Sequence, residues 1–146
     1  LEANSIKVQA FDIADVDPED MLKFDNLVIG CPTWNIGELQ DDWDSVFDNY
    51  KKLDFNNKIG AFFGCGDQVG YPYNFLDAIG ILAEPFIANG GKLIGECNRD
   101  EYEFDDSKAL KNDKLMGLGL DYDNCDDDEC ELLMINWLDE IMDSFK

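Results

Sequence analysis

Apolar residues along this chain follow two alternating patterns: short unbroken runs, and longer stretches in which they return every third or fourth position. Leu27-Val28-Ile29-Gly30, Lys58-Ile59-Gly60-Ala61-Phe62-Phe63-Gly64 and Leu93-Ile94-Gly95 are of the first kind. Near-continuous apolarity over a strand's length predicts buried strands of a parallel sheet covered on both faces. Trp43, Val46, Phe47 and Tyr50 are of the second kind. They predict an amphipathic helix over Asp41–Tyr50 with acids at its favourable end, and they assign Trp43 to the core stripe. Phe75, Leu76, Ile79, Leu82, Phe86 and Ile87 predict a helix running to Asn89, ended by Gly90-Gly91 and containing Pro85 as a site of kinking. Leu132, Ile135, Leu138, Ile141, Met142 and Phe145 predict a final helix packed on the sheet.

The weaker signals lie between these. Leu1-Glu2-Ala3 reads as the tail of a helix, and Ile6-Lys7-Val8-Gln9-Ala10-Phe11 alternates as a strand near a sheet edge does. Asp17-Pro18-Glu19-Asp20 has a helix-start signature, with Asp17 as cap and Pro18 in the first turn of a short helix leading to Phe24. A polar segment, residues 98–113, separates Leu93-Ile94-Gly95 from the apolar run Leu115-Met116-Gly117-Leu118. Strands and helices in alternation predict a parallel α/β sheet with helices on both faces, in one domain over residues 1–146.

Composition excludes several partners. Lys and Arg total 11 against 33 Asp and Glu, a formal charge of −22, and Arg99 is the single arginine. No basic patch is available for nucleic acid, and an anionic membrane surface would repel the chain. Such a field draws basic protein partners, and more weakly as salt rises. Cys31, Cys65, Cys97, Cys125 and Cys130 are odd in number, contain no C-x-x-C pair, and have no histidine beside them to complete a metal site. Free thiols in a reducing compartment are the expectation.

Chemistry concentrates after two of the runs. Cys31-Pro32-Thr33-Trp34-Asn35-Ile36-Gly37-Glu38-Leu39 follows the first, and Cys65-Gly66-Asp67-Gln68-Val69-Gly70-Tyr71 follows the second. In an open α/β sheet the strands' carboxyl ends are where ligands sit, so each loop brings one aromatic, Trp34 or Tyr71, to that edge. Neighbouring strands would set the two rings on either side of a flat ligand. The alternative for both is an aromatic folded back on the core.

These stretches, CPTWNIGEL and FFGCGDQVGYPYNFLDAIG, resemble the two flavin-ring loops of the flavodoxins, of the long-chain type, and the resemblance runs from about Ile6 to the C-terminus. Flavodoxin is itself the standard example of strand order 2-1-3-4-5 with FMN at the switch point, so that placement comes with the resemblance. The resemblance implies FMN held by Thr33, Trp34, Asn35, Ile36, Gly37, Cys65, Gly66, Asp67 and Tyr71. Trp34 and Tyr71 would sandwich the ring, Asn35-Ile36 would present a peptide to its N5 edge, and Gly66-Asp67 would reach its pyrimidine edge. Residues 98–113 would be the long-chain insertion in the last strand, a surface loop and partner-docking candidate. The implied function is a low-potential electron carrier with no substrate turnover of its own. Its implied partners are basic redox proteins such as a flavoenzyme like ferredoxin-NADP reductase. The implied state is a monomer in the cytoplasm, or in the plastid stroma of an alga.

The chain departs from that pattern in one respect. The family's first strand and its Thr- and Ser-rich phosphate loop have no counterpart here; Thr33 and four scattered serines are the only aliphatic hydroxyls. The absent strand would lie centrally, between Ile6–Phe11 and Leu27–Gly30. Each buried unpaired backbone group costs roughly 1–3 kcal/mol against a domain stability of about 5–15. The expectation is a fragment whose first strand has to be supplied.

Asp121-Tyr122-Asp123-Asn124-Cys125-Asp126-Asp127-Asp128-Glu129 has the look of a calcium loop, but Asp126 stands where the turn glycine belongs and Leu132 where the bidentate Glu belongs. It reads instead as a solvated run capping the last helix. Two functional alternatives stand beside the carrier: an FMN-dependent NAD(P)H:quinone reductase-like enzyme, and a degenerate non-redox interaction module.

Overall fold

A computed structural model describes residues 6–145. Its centre is a parallel sheet in which β1 (Asn26–Gly30) lies against β4 (Ile59–Cys65), with Asn26 opposite Ile59 and Gly30 opposite Phe63. The other side of β4 is shared. Its first half pairs with β5 (Lys92–Ile94) and its second half with β9 (Leu118–Leu120), both parallel to it. The predicted runs are strands because every part of β4 up to Gly64 is covered, and only an apolar sequence tolerates that.

Successive residues of β4 point to opposite faces, and helices cover both. Phe62 meets Phe86 of α2 (Asp77–Ala88), and an aromatic chain continues through Phe55 to Tyr50 and Trp43 of α1 (Asp41–Tyr50). Phe63 meets Trp137 of α3 (Asp127–Met142) on the opposite face. Trp43 is buried as expected, and its indole donates to the Gly30 carbonyl at 3.0 Å. Helix α2 stops as predicted: Gly90, at φ 98°, donates to the Ile87 carbonyl and Gly91 to that of Phe86, a Schellman ending.

Three expectations need correction. Ile6–Phe11 forms no strand; among the described residues no sheet edge runs alongside it, and alternation without a ladder partner leaves the backbone to solvent. The helix after Asp17 is a 3-10 helix, Pro18–Lys23, whose cap residue accepts through its backbone carbonyl and not its side chain. Helix α3 is rotated from the expected stripe: Cys130, Trp137 and Ile141 are buried while Leu132 and Ile135 are exposed. The helix is apolar on more than one side, and the Trp137 indole, donating to the Gly95 carbonyl at 2.8 Å, settles which side faces in. Leu1–Ala3 lies outside the described residues.

Two hairpins interrupt the strand–helix alternation. β2 (Thr33–Trp34) and β3 (Glu38–Leu39) pair across Asn35-Ile36-Gly37. Between β5 and β9, β6 (Cys97–Asn98), β7 (Leu110–Lys111) and β8 (Lys114–Leu115) form a small antiparallel sheet. Its β7–β8 turn is Asn112-Asp113, both at positive φ as a type I′ turn requires. The expected apolar run over Leu115–Leu118 is thus divided between β8 and β9.

Candidate functional site

The predicted loops leave β1 and β4 at the same end of the sheet and enclose one cleft of about 400 Å³. Its walls include Thr33 and Asn35 from the first loop and Cys65, Gly66, Asp67 and Tyr71 from the second, so six of the nine predicted residues meet there. Trp34, Ile36 and Gly37 lie outside its lining. Trp34 stands on the hairpin beside it, 41% exposed, and Tyr71 is 49% exposed. Pro32, Asn74, Phe75 and Asp123 also line it and were not anticipated. Asn74 and Phe75 carry no local signal separating them from the start of α2, and Asp123 was legible only as part of an acidic run.

The first loop is a hairpin because Asn35 (φ 47°) and Gly37 (φ 79°) adopt the left-handed turn that reverses it, and the Asn35 side chain donates to Glu38 Oε2 at 2.6 Å. A side chain at Gly37 would meet the Asp77 carboxylate as well. The hairpin is fastened to α2 by Thr33, whose hydroxyl oxygen accepts from the Ala78 N–H at 3.2 Å. That bond substitutes for a normal cap, since the cap position is held by Leu76 in a left-handed conformation (φ 57°) with no side-chain acceptor. Buried Asp77 continues the fastening: it accepts from Asn74 Nδ2 at 3.1 Å and from the Lys108 N–H at 2.7 Å.

The second loop is held through carboxylates. Asp67 Oδ1 accepts from the Val69 and Gly70 N–H groups at 3.1 and 2.7 Å, and from Asn124 Nδ2 at 2.9 Å. The Gly70 N–H first and Asn124 second hold its carboxyl below the ordinary value. Buried Asp121, just past β9, accepts from the Gln68 N–H, and the Gln68 side chain accepts from the Glu103 N–H. Cys65 is exposed, yet partial burial and then the charge of Asp123 push its thiol above the ordinary value, which disfavours the thiolate.

A second hollow, about 690 Å³, lies over Asn98–Glu101 and Asn112–Lys114. Charged and amide side chains line it without an aromatic ring, so it has no surface for stacking. In the acidic run, Asp126 caps α3, accepting from the Glu129 N–H at 2.9 Å while Glu129 accepts from the Asp126 N–H, as the helix-capping reading requires. No helix among the described residues is long and apolar enough to cross a membrane.

A family model described as Flavodoxin matches residues 1–132. The chain belongs to the flavodoxin family. Among relatives, the flavodoxin of Synechocystis sp. is 48% identical over 134 residues, 92% of this chain and 78% of its own length. That of Nostoc sp. is 50% identical over 120 residues, 82% and 71% of the two chains. Among solved structures, Fusobacterium nucleatum flavodoxin bound to flavin mononucleotide superposes with a TM-score of 0.88 at 26% identity, covering 94% of this chain and 81% of its own. The parallel α/β class expected from the alternation, and the flavodoxin-like fold implied by the resemblance, are therefore what is found.

Proposed function

We propose that this flavodoxin binds FMN with its ring in the cleft between the Trp34 hairpin and the Cys65–Tyr71 loop, and carries electrons between proteins at low potential. The carrying observation is the cleft itself: two loops at the carboxyl ends of adjacent parallel strands, with a half-exposed aromatic on each. Trp34 and Tyr71 supply stacking faces, the turn peptide Asn35-Ile36 and the Gly66-Asp67 segment supply polar groups at the ring's edges, and Thr33, Gly37 and Cys65 complete the binding set. Bound FMN supplies the electron chemistry, and the chain's residues tune it. Asp67 and Asp123 in the lining suit a neutral ring and disfavour added negative charge on it, which lowers the potential of full reduction.

The same carboxylates repel a phosphate dianion, so the phosphate is held elsewhere. We infer a long-chain flavodoxin in which residues 98–113 interrupt the last strand, supported by β5 and β9 sharing one side of β4. We infer further that the family's first strand docks along the open side of β1. The support is the side of β1 away from β4: no strand of the described residues lies along Leu27–Gly30 there, and Val28 is 37% exposed. The acidic surface selects basic redox partners, such as a flavoenzyme of the ferredoxin-NADP reductase kind, for a monomer working in the cytoplasm or plastid stroma.

The test is titration of FMN with the protein as isolated and stripped of cofactor, followed by quenching of flavin fluorescence. Stoichiometric quenching supports the reading; free fluorescence throughout refutes it in favour of an interaction module. Steady oxidation of NADPH without a protein partner would refute the carrier role.

A further inference from the structure

Asn124 does not line the cleft, yet its side chain joins the two carboxylates on which the second loop depends. Nδ2 donates to Asp67 Oδ1 at 2.9 Å and to Asp121 Oδ1 and Oδ2 at 2.9 and 2.8 Å. Its backbone N–H also donates to Asp121 Oδ1 at 3.2 Å. An amide nitrogen has two hydrogens, so one serves each carboxylate and none is left over. Asp67 in turn holds the Val69 and Gly70 N–H groups, and Asp121 holds that of Gln68. Three consecutive amides of the loop therefore rest on acceptors that Asn124 fixes in place.

We propose that Asn124 is a positioning residue that sets the conformation of the Cys65–Tyr71 loop, acting through Asp67 and Asp121 across a gap in sequence of more than fifty residues. Charge makes the amide specific. No Lys or Arg forms an ion pair with Asp67 or Asp121 among the described residues, so the donor between the carboxylates is this neutral amide. Replacement by alanine leaves the two without the one donor that bridges them, and replacement by aspartate sets a third carboxylate between them at unchanged size. The effect on cofactor affinity rests on the FMN reading; the effect on the loop does not.

The experiment compares Asn124→Ala and Asn124→Asp with the parent, each as the whole protein, by amide hydrogen exchange of the cofactor-free form and by FMN titration. Loss of charge-assisted hydrogen bonds predicts exchange of the Gln68, Val69 and Gly70 amides faster by about tenfold in both variants, with the β4 amides unchanged and FMN Kd raised by about tenfold. Loop exchange within about twofold of the parent in both variants overturns the proposal, as does an aspartate variant that behaves like the parent, since shape alone would then suffice. Failure of the parent to bind FMN refutes the cofactor reading and leaves the exchange result to decide this one. The parent provides a measurement that needs no variant: the two Asn124 side-chain amide protons should be distinct and slow to exchange by NMR. Fast, averaged exchange there overturns the assignment.

Discussion

Thr33→Val tests how the hairpin is coupled to α2. Valine keeps the shape and β-branching of threonine and removes one acceptor. The acceptor matters because the Ala78 N–H is buried, and Thr33 Oγ1 at 3.2 Å stands in for the cap that Leu76 does not provide. Loss of a helix cap costs about 1–2 kcal/mol, and a buried donor left without a partner falls in the same range. For a domain near this size that lowers Tm by roughly 3–8 °C. The assay is thermal denaturation by circular dichroism, with Thr33→Ser as control because it keeps the hydroxyl. Serine should lie within about 0.5 kcal/mol of the parent. A valine variant as stable as the serine variant would refute the reasoning, since the hydroxyl would then contribute nothing.

Trp34→Ala removes a half-exposed ring from the rim of the cleft and should raise FMN Kd at least about tenfold with little change in Tm; unchanged affinity sinks the sandwich. Gly80→Ala should destabilise by about 1–3 kcal/mol although alanine is the better helix former by about 1, because a Cβ there drives into the backbone of Lys108 and Ala109; a gain in chemical-denaturation midpoint would contradict this. Stability should fall on the alkaline side. Burial pushes Cys31 from an ordinary 9.0 up to about 11 and Cys97 to about 12, and also raises Tyr50 and Tyr102. A raised folded-state value means the unfolded chain ionises first, so stability present below about pH 9 is lost as pH climbs towards 12; a flat denaturation midpoint over that window would refute it.

The parts of the fold legible in the sequence are those where burial leaves a strand or helix no alternative. β1, β4, α1 and α2 were all anticipated within a few residues, although β1 leaves Val28 exposed where burial on both faces was expected. α3 was legible as a helix but not in its rotation, because a helix apolar on several sides offers competing stripes and only Trp137 against Gly95 decides between them. Ile6–Phe11 had the alternation of a strand, but alternation says nothing of whether an edge is available. The two hairpins escaped notice because they turn on Asn35 and on Asn112-Asp113 at positive φ, a choice that asparagine and aspartate permit but do not announce.

The candidate site divides along the same line. That each loop stands at a strand's carboxyl end was readable, because β1 and β4 were readable, while their adjacency came only with the resemblance. What holds those loops was not, because every tie is distant in sequence: Thr33 to Ala78, Asp77 to Lys108, Asp67 to Asn124. No spacing rule reaches across such gaps. Two of the ties end in residues 98–124, so the polar segment taken for a surface loop and the acidic run after β9 brace the cleft as well as facing solvent. The braces bear on binding because loops already fixed need not be ordered when a ligand arrives, which strengthens binding without any new contact. Asp67 serves as both brace and charge, so removing it would change geometry and field together. Asn124→Ala leaves the charge of the site as it stands and removes no residue that lines the cleft, and a change of FMN affinity in it therefore reports geometry alone.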